Sequence, residues 1–544
     1  MESGARLARY AANRPSNPKA APVEAVLDTR TAGLFLHLTS LPGPHGNGDM
    51  GPAAREFADF LAAARQHWWQ VLPVGPTGAG DSPYSGASAF AGNPMLISLT
   101  DLAEEGLLDA GELGGALPPG QVDYRRAEKL RTEALRLATA RLATGAGQHR
   151  AASNDFRRRA RSWLPDYALY MALRDRHGGA PWTSWEPALA RYQKDAIERA
   201  RRELRVPIAR YELEQFLFDV QWRRFRDHCA ARGVGLIGDA PIFIAHESAD
   251  VWANQAYFRL DDRGQPTHVA GVPPDYFSKT GQRWGNPLYR WKRMARDGYA
   301  WWIERFRGLL GRFDVVRLDH FIGFTRYWEV IATEKTAEHG RWLKGPGADL
   351  FEKARQSLGT LPFIAEDLGA VTSRVQALRD RYDLPGMRIL QFAFGGDVQA
   401  SSFLPHNYVR RSIAYTGTHD NDTIVGWFED DGLAADSPRS PEQAAAERRN
   451  ALSYLAGPGA TRFAGPSHWE MIRALYGSVA DTVIIPMQDV LGLDNRARMN
   501  HPGKPEGNWA WRLAAEDLTA DLAEHLRQLA TTYGRASPLA GAGS

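Results

Sequence analysis

Three acidic residues stand at the ends of short apolar runs: Asp319 in VVRLDH, Glu366 in FIAEDLG and Asp420 in YTGTHDND. Successive members are 47 and 54 residues apart in the chain. If each run is a strand of one parallel barrel, the strand ends converge on one mouth and the three carboxylates meet there. Such a set suits glycoside chemistry, in which one carboxylate attacks the anomeric carbon and a protonated one gives its proton to the departing oxygen.

The residues beside these carboxylates predict different roles for them. Arg317 lies two positions before Asp319, so on a strand both side chains point to one side, and the guanidinium favours an ionised nucleophile. Glu366 has no basic neighbour in sequence and is the candidate acid, whereas Asp367 should turn into the barrel wall. A retaining enzyme would hold nucleophile and acid about 5 to 5.5 Å apart. The alternative for any single Asp at a strand end is to cap the next helix.

Apolar runs rich in β-branched residues recur along the chain with helical patterns between several of them. Burial on both faces is typical of parallel strands covered by helices, and about eight such runs favour a (β/α)₈ barrel over a doubly wound sheet. The fold class is therefore predicted as α/β, a (β/α)₈ TIM barrel with mainly helical insertions. The eight runs are residues 33–38, 70–74, 234–239, 313–319, 362–366, 387–392, 412–418 and 482–488.

The spacing of the runs predicts the domain organisation. About 160 residues separate the second run from the third, far more than an ordinary crossover needs, so residues of about 100–230 are predicted to form an inserted helical subdomain. The barrel is expected over residues 31–520, with a flexible extension at 1–30 and a C-terminal helix and frayed tail at 521–544. The motifs continue too close to the end of the sequence to leave room for a C-terminal β-sandwich.

Composition narrows the class of protein. With 44% hydrophobic and 24% charged residues the chain can bury a large core. The formal net charge of +3 is too small for a nucleic-acid-binding protein. Cys229 is the only cysteine, which excludes an intramolecular disulfide framework and cysteine-clustered metal sites. No secretory signal or apolar run of membrane-spanning length is evident, so a cytoplasmic location is predicted. An organelle-targeting N-terminus is the alternative.

The sequence resembles the amylomaltases, the 4-α-glucanotransferases or disproportionating enzymes, which are related to the α-amylases. The resemblance runs from about residue 33 to residue 513. It rests on HLTSLPGPHGNGDMG, QVLPVGPTGAGDSPYSGASAFAGNPMLISL, IGDAPIFIAHESADVW, VAGVPPDYFSKTGQRWGNPLYRW, VVRLDHFIGF, FIAEDLG, LPGMRILQFAF, YTGTHDNDT and ARMNHPGKPEGNWAWR.

The resemblance implies a retaining double displacement on α-1,4-glucans, with release of glucose. Asp319 would be the nucleophile that forms a glycosyl ester, Glu366 the acid/base and Asp420 the stabiliser of the transition state. Maltooligosaccharides and α-1,4-glucans are the implied donors and acceptors. No cofactor, metal, nucleic acid or membrane is expected. Ala79 departs from members with a bulky aromatic there, which puts a remote glucan-binding surface in doubt.

The resemblance also implies a set of sugar-binding residues. A Gly- and Pro-rich segment, 269–291, is expected to be an active-site loop that overhangs the cleft and excludes water. In that segment the acceptor side is assigned to Tyr276 and Phe277. The other implied contacts are Tyr84 as a platform under the sugar, Asp239, Gln282, Trp284, Asn286, Arg317 and His419.

Two other functions remain open from the sequence. A plain α-glucan hydrolase would use the same three carboxylates but would have no preference for a sugar acceptor. A non-catalytic glucan-binding protein could keep the fold, although damage to the carboxylates would then be expected. The products formed from maltotriose distinguish transfer from hydrolysis.

Overall fold

A computed structural model describes residues 27–144, 149–274, 280–396, 399–433, 437, 439–504 and 506–537. Its strands, numbered along the chain, are β1 Thr31–Phe35, β2 Trp68–Gln70, β3 Gly235–Ala240, β4 His268–Val272, β5 Gln282–Pro287, β6 Val315–Leu318, β7 Arg326–Ile331, β8 Gly340–Lys344, β9 Phe363–Ala365, β10 Gly386–Ile389, β11 Ser412–Tyr415 and β12 Thr482–Pro486. They form two sheets of different kinds.

The α-helices of the described residues are also numbered along the chain. They are α1 Pro52–Ala63, α2 Leu99–Glu104, α3 Tyr124–Thr144, α4 Arg150–Arg159, α5 Leu164–Arg176, α6 Pro187–Ala190, α7 Lys194–Glu203, α8 Arg205–Ala231, α9 Ala249–Ala253, α10 Trp291–Arg296, α11 Ala300–Arg312, α12 Ile322–Thr325, α13 Ala348–Leu358, α14 Ser373–Arg381, α15 Ile424–Glu429, α16 Pro441–Ala456, α17 Ser467–Gly477, α18 Met487–Val490 and α19 Ala520–Thr532.

Eight strands close into a parallel barrel in the order β1, β2, β3, β6, β9, β10, β11, β12 and back to β1. The predicted TIM barrel is confirmed, and each of the eight predicted runs overlaps one of its strands. Closure depends on the pairing of Thr31 to Phe35 with Thr482 to Pro486. Gly33 permits the close approach of β1 to β2, because a Cβ there would lie 2.3 Å from the Trp68 carbonyl oxygen.

Between β2 and β3 the described chain is helical, with α2 to α8 in sequence. The 27-residue helix α8 packs against α3, α5 and α1 and then leads into β3. The predicted extension over residues 1–30 lies outside the described residues up to residue 26, and the predicted tail does so from residue 538. No helix in the described ranges is long and apolar enough to cross a membrane.

A second, antiparallel sheet with the order β5, β4, β7, β8 accompanies the barrel. The sequence did not predict it. The segment 269–291, expected to be a loop, instead forms most of β4 and β5, which pair from Val272 opposite Gln282 to Val269 opposite Pro287. The Gly and Pro content of the segment is typical of a loop, and the segment has no alternating apolar pattern that would predict strands. The strands are instead stabilised by cross-strand backbone pairing.

The base of the barrel, away from the strand ends, is held by a buried arginine. Arg535 is 0% exposed and donates to the backbone carbonyls of five residues at distances of 2.8 to 3.1 Å: Thr31, Tyr476, Ser478, Ala480 and Asp481. Burial lowers the pKa of Arg535 to about 10, and the nearby Arg30 adds to this. The guanidinium therefore joins β1, the loop before β12 and the chain after α19 at one point.

Candidate active site

A cleft of about 720 Å³ lies over the carboxyl ends of the barrel strands and is bordered by the second sheet. The position agrees with the rule that barrel enzymes build their sites at this face. Nine of the residues predicted from the sequence line it: Tyr84, Gln282, Trp284, Asn286, Arg317, Asp319, Glu366, His419 and Asp420. The expectation that the three acidic strand ends meet in one cleft is thus met in the structure.

Strand register explains why Asp319 and Glu366 are neighbours. Leu318 of β6 pairs with Ala365 of β9, so the next residue of each strand enters the cleft beside the other. The Asp319 amide donates to the Ala240 carbonyl at 3.0 Å and the Glu366 amide to the Leu318 carbonyl at 3.2 Å. These bonds continue the ladders past the strand ends and fix both side chains at the mouth of the barrel.

Arg317 links two carboxylates beneath the cleft. Asp239 lies opposite it in the pairing of β3 with β6, and Arg317 Nη1 donates to both Asp239 oxygens at 2.7 and 2.9 Å. Its Nη2 contacts Asp319 Oδ1 at 2.9 Å. Burial would lower the pKa of Arg317, but the two carboxylates raise it well above its ordinary value. The guanidinium is therefore a permanent positive charge in contact with Asp319, and the two side chains lie on one side of the strand, as the spacing in the sequence predicted.

Tyr84 joins this network from the loop after β2. Its hydroxyl donates to Asp239 Oδ2 at 2.8 Å, and its ring stacks on His419 with centroids 5.0 Å apart. Burial and the adjacent Asp239 raise the pKa of Tyr84 well above its ordinary value, so the hydroxyl keeps its proton. Burial lowers the pKa of His419, so that ring is neutral near pH 7. Asp239 is only 3% exposed and lies below these groups rather than on the cleft surface.

Helix α8 holds the loop that carries Tyr84. Gln215 accepts from the Gly92 amide at 2.7 Å and donates to the Gly92 carbonyl at 2.8 Å. Gln221, farther along the helix, makes the same pair of bonds with Ser98 at 2.7 and 3.1 Å. Each side-chain amide thus supplies the hydrogen bonds that a neighbouring strand would otherwise make to this buried backbone segment. The helical segment between β2 and β3 thereby contributes to the site without lining it.

Two backbone amides hold the Glu366 carboxyl. His320 donates to Oε2 at 2.7 Å and Leu368 to Oε1 at 3.0 Å. His320 has a φ of 50°, in the left-handed region that costs a non-glycine residue energy, and this conformation accompanies the bond to Glu366. Asp367 points into the wall, as predicted, where it accepts from Arg379 and from the Met387 amide.

The environment of Glu366 favours its protonated form. Burial raises its pKa to about 8; the Asp319 charge adds to the rise, while Arg317 and the two amides oppose it. At pH 7 the group therefore carries a proton that it can donate, which is the property that acid catalysis requires. Asp319 instead contacts the Arg317 guanidinium.

Asp420 lies in the turn after β11 and approaches the cleft from the far side. Its Oδ1 accepts from Asn500 Nδ2 at 2.6 Å, and its Oδ2 lies 3.4 Å from His419 Nε2. Arg498 Nη2 donates to the Asp420 carbonyl at 2.5 Å. Asn500 and Arg498 follow β12 by more than ten residues, so a second part of the chain orients this carboxylate.

The second sheet supplies the wall above the nucleophile. Trp284 of β5, 37% exposed, meets the His320 ring edge to face with centroids 4.8 Å apart, and its indole Nε1 donates to Gln282 Oε1 at 3.2 Å. Asn286 of the same strand also lines the cleft. Tyr276 and Phe277, the predicted acceptor-side residues, lie outside the described residues, so their roles stay predictions.

Several cleft residues were not predicted. Asn500, His501 and Asn508 come from the loop after β12, and Trp342 from β8. The motif that contains Asn500 carried part of the resemblance, but nothing in its spacing indicated a contact with Asp420, which lies 80 residues earlier. In the described ranges no three His, Cys, Asp or Glu side chains are grouped so as to hold a metal ion.

A closed parallel barrel with three carboxylates in one cleft at its mouth defines the class of (β/α)₈ barrel enzymes. The sequence profile of the 4-alpha-glucanotransferase family matches residues 36–519. Two curated 4-alpha-glucanotransferases are similar: that of Thermus thermophilus is 47% identical over 510 residues, 93% of this chain and 99% of the relative, and that of Synechocystis sp. is 44% identical over 518 residues, 94% and 99%.

Solved structures agree with this assignment. The amylomaltase of Streptococcus agalactiae in complex with acarbose has a TM-score of 0.86 at 36% identity, covering 93% of this chain and all of that one. The amylomaltase of Corynebacterium glutamicum, at 20% identity and a TM-score of 0.72, covers 95% of this chain and 76% of that one and shows the fold alone. The chain belongs to the 4-alpha-glucanotransferase family and is a glycosyltransferase that acts on α-1,4-glucans.

Proposed function

We propose that the enzyme moves α-1,4-glucan segments between maltooligosaccharides by a retaining double displacement, with Asp319, Glu366 and Asp420 as its catalytic residues. The observation that carries the proposal is the strand register that places Asp319, in contact with Arg317, beside a protonated Glu366. Family membership supports the transfer reaction. Glucose is released when the segment left on the acceptor side is a single residue, as from the reducing end of maltotriose.

In the first half-reaction an Asp319 oxygen attacks the anomeric carbon, and the bond to the leaving glucan breaks. Glu366 gives its proton to the departing oxygen, and a covalent glycosyl-aspartate remains. Arg317 contacts Asp319 through Nη2 and Asp239 through Nη1, and so holds the attacking carboxylate in place. Asp239 and Tyr84 therefore support the nucleophile indirectly, through Arg317. A direct contact of Asp239 with sugar stays a prediction.

In the second half-reaction Glu366 acts as the base. It removes the proton of an acceptor 4-hydroxyl, whose oxygen attacks the anomeric carbon and displaces Asp319. Once Asp319 is an ester it has no charge, so the pKa of Glu366 falls and the carboxylate is ready to accept a proton. The amides of His320 and Leu368 hold that carboxylate in place.

Asp420, Asn500 and His419 form the opposite wall of the cleft. The carboxylate of Asp420 is oriented by Asn500 and lies beside His419, and its charge stabilises the positive character that develops on the sugar ring in the transition state. The neutral His419 ring offers one donor and one acceptor to sugar hydroxyls. The three groups come from two loops that follow neighbouring strands β11 and β12.

Transfer rather than hydrolysis requires that water be kept from the ester while an acceptor is bound. The wall formed by Gln282, Trp284 and Asn286 is suited to this, since it covers the nucleophile side and offers both an aromatic ring and amides to a sugar. We expect Trp284→Ala to raise the ratio of hydrolysis to transfer by about tenfold, the scale of one lost aromatic contact. Trp469→Ala, at a partly buried ring of α17 that does not line the cleft, is the matched control. An unchanged ratio in Trp284→Ala would contradict the covering role.

The test of the reaction is the product distribution from maltotriose as sole substrate. Transfer yields glucose together with maltopentaose and longer oligomers, while reducing ends stay constant in number. A hydrolase instead yields maltose and glucose with a steady rise in reducing ends. That second outcome would overturn the transfer reaction while leaving the carboxylate roles intact.

The covalent step has its own test. In Glu366→Gln, α-maltosyl fluoride can still react because fluoride leaves without a proton, but the base for the second step is missing. We expect the protein to gain the mass of one maltosyl group, located on Asp319 by peptide mapping. Asp319→Ala is the control. Fluoride release without any covalent adduct, or an adduct on another residue, would contradict the glycosyl-aspartate.

A further inference from the structure

Trp342 is a cleft residue to which the proposed reaction gives no role. It lies on β8, an edge strand of the second sheet, and its half-buried ring borders the cleft. A tryptophan ring at the border of a sugar site offers an apolar face to the C–H face of a glucose unit and an indole N–H to its hydroxyls. A half-buried aromatic side chain on an edge strand also has a structural explanation, so its surroundings decide between the two.

Two side chains pack against the ring of Trp342. The Arg326 guanidinium carbon lies 4.1 Å from the ring centroid, and the Trp328 ring packs against it at 5.3 Å and 67°. These contacts restrict the ring, and its half-buried side chain still lines the cleft. A platform that is already ordered loses little side-chain entropy when a ligand binds.

Arg326 also connects Trp342 to the acid/base side of the cleft. Its Nη2 donates to the Ala370 carbonyl at 2.9 Å. Ala370, together with Leu368 and Gly369, forms the cleft wall directly after Glu366. Since Glu366 protonates the leaving oxygen, this wall faces the leaving glucan and, later, the acceptor. Trp342 is therefore placed on the acceptor side.

The strand that carries Trp342 is fixed to the segment that follows the nucleophile. The amides of Gly345 and Gly347 donate to the Thr325 and Phe324 carbonyls at 2.9 and 2.8 Å. Gly345 has no Cβ, and one would lie 2.4 Å from the Phe324 carbonyl oxygen, so only glycine allows this approach. The position of the platform relative to Asp319 is thus set by backbone contacts.

Trp342 and Trp284 lie on the two edge strands of the sheet, β8 and β5, with β4 and β7 between them. Three strand spacings of about 4.8 Å place these strands about 14 Å apart. That separation exceeds the length of one sugar ring. Only an acceptor of more than one glucose unit is therefore long enough to extend from the reaction centre to Trp342.

We propose that Trp342 forms an outer acceptor subsite, which binds a glucose unit of an oligosaccharide acceptor beyond the unit that attacks the ester. This inference rests on the proposed function and adds to it a selection by acceptor length. Short acceptors such as glucose contact only the inner wall near Trp284, whereas maltotriose also contacts the Trp342 ring. The subsite raises the affinity for long acceptors without taking part in the chemistry.

The experiment isolates the acceptor step with an α-maltosyl fluoride that lacks its non-reducing 4-hydroxyl. Fluoride occupies no part of the acceptor side, and the missing hydroxyl prevents the donor from serving as an acceptor. The KM of glucose and the KM of maltotriose as acceptors are measured in the wild type, Trp342→Ala, Trp342→Phe and the control Trp469→Ala. If Trp342→Ala does not fold, Trp342→Leu replaces it.

We expect Trp342→Ala to raise the KM for maltotriose about tenfold, the scale of one lost aromatic contact, and the KM for glucose less than about twofold. Trp342→Phe should keep most of the affinity, and the control should match the wild type. An unchanged KM ratio, or an equal rise for both acceptors, would overturn the subsite. A wild type that hydrolyses the fluoride but transfers to neither acceptor would contradict the proposed function itself.

Discussion

Two buried arginines, one at each end of the barrel, bind different kinds of partner and have different roles. Arg317 at the mouth binds the carboxylates Asp239 and Asp319. Arg535 at the base donates to backbone carbonyls of five residues. The carboxylates raise the pKa of Arg317, whereas burial lowers that of Arg535. At the mouth, the charge of Arg317 binds carboxylates and so prepares the reaction. At the base, the charge of Arg535 binds peptide carbonyls and so joins segments of the chain.

This comparison predicts that residues at the mouth control rate and residues at the base control stability. Removing the nucleophile should have the largest effect on activity. Asp319→Ala is expected to reduce turnover of maltotriose at least about 10⁴-fold, because no other group can form the ester. The midpoint of thermal unfolding should change little, since Arg317 keeps both bonds to Asp239. The exposed Asp262→Ala is the control, and residual turnover above 10% of wild type would refute the nucleophile role of Asp319.

The acid/base should have the next largest effect. Glu366→Gln is expected to reduce kcat for maltotriose about 10²- to 10⁴-fold, the usual contribution of a positioned acid or base. In the wild type, kcat/KM should fall as pH rises through about 8, where Glu366 loses the proton that the first step requires. Rates measured between pH 5 and 10 test this. A flat profile across that range would count against Glu366 as the acid.

The same raised pKa has a consequence for stability. In the unfolded chain Glu366 ionises near its ordinary value, so between that pH and about 8 the unfolded state binds fewer protons than the folded one. Ionisable Glu366 therefore destabilises the fold increasingly as pH rises through this window. Glu366→Gln should remove that dependence and unfold at higher urea concentration than the wild type at pH 9.

At the base of the barrel we expect the opposite: a large effect of mutation on stability and a small effect on activity. Arg535→Met removes one donor from each of five backbone carbonyls, of which those of Tyr476 and Ser478 also accept from Arg30, and should lower the free energy of unfolding by about 3 kcal/mol or more. Activity per folded molecule at 25 °C should stay within a factor of two of the wild type, since no cleft residue is touched. Arg527→Met, which removes an exposed pair with Glu524, should leave the free energy of unfolding close to that of the wild type. Loss of specific activity in folded Arg535→Met would show that base and mouth are coupled.

Gln215 tests the region between the two ends, with the smallest expected effects. Gln215→Leu removes both bonds to Gly92 and should cost about 1 to 3 kcal/mol of unfolding free energy, because a buried amide and carbonyl lose their partner. The loop that carries Tyr84 then loosens, so the KM for maltotriose should rise by a small factor while kcat changes less. Urea unfolding and initial rates measure both. A stability loss with unchanged KM would confine Gln215 to a structural role.

The barrel was predictable because its strands are buried on both faces and read as apolar runs. The strand TVIIP of β12 is buried throughout, and its short length and β-branched residues favour a strand over a helix. The three carboxylates were predictable for the same reason, since their positions follow from where such runs end. The pairing of Arg317 with Asp319 required only the two-residue alternation of a strand.

The second sheet and the orienting groups were not predictable in this way. Only one residue of β5 and none of β8 is buried, and neither QRWGNP nor GRWLK has an alternating pattern that could indicate a strand. The contact of Asn500 with Asp420 depends on two loops brought together by the pairing of β11 with β12. The periodicity of apolar residues predicts which residues of one segment are buried. It does not predict which distant loop will lie beside that segment.

The pairing of β1 with β12 has a consequence for how the protein is made. These strands are separated by about 450 residues, and the arginine beneath them comes later still, at position 535. While the chain is being synthesised the growing sheet has two unpaired edges, which can add a strand from another nascent chain. The barrel closes only after β12 has left the ribosome, so slowing the release of this strand or removing α19 should expose those edges to aggregation.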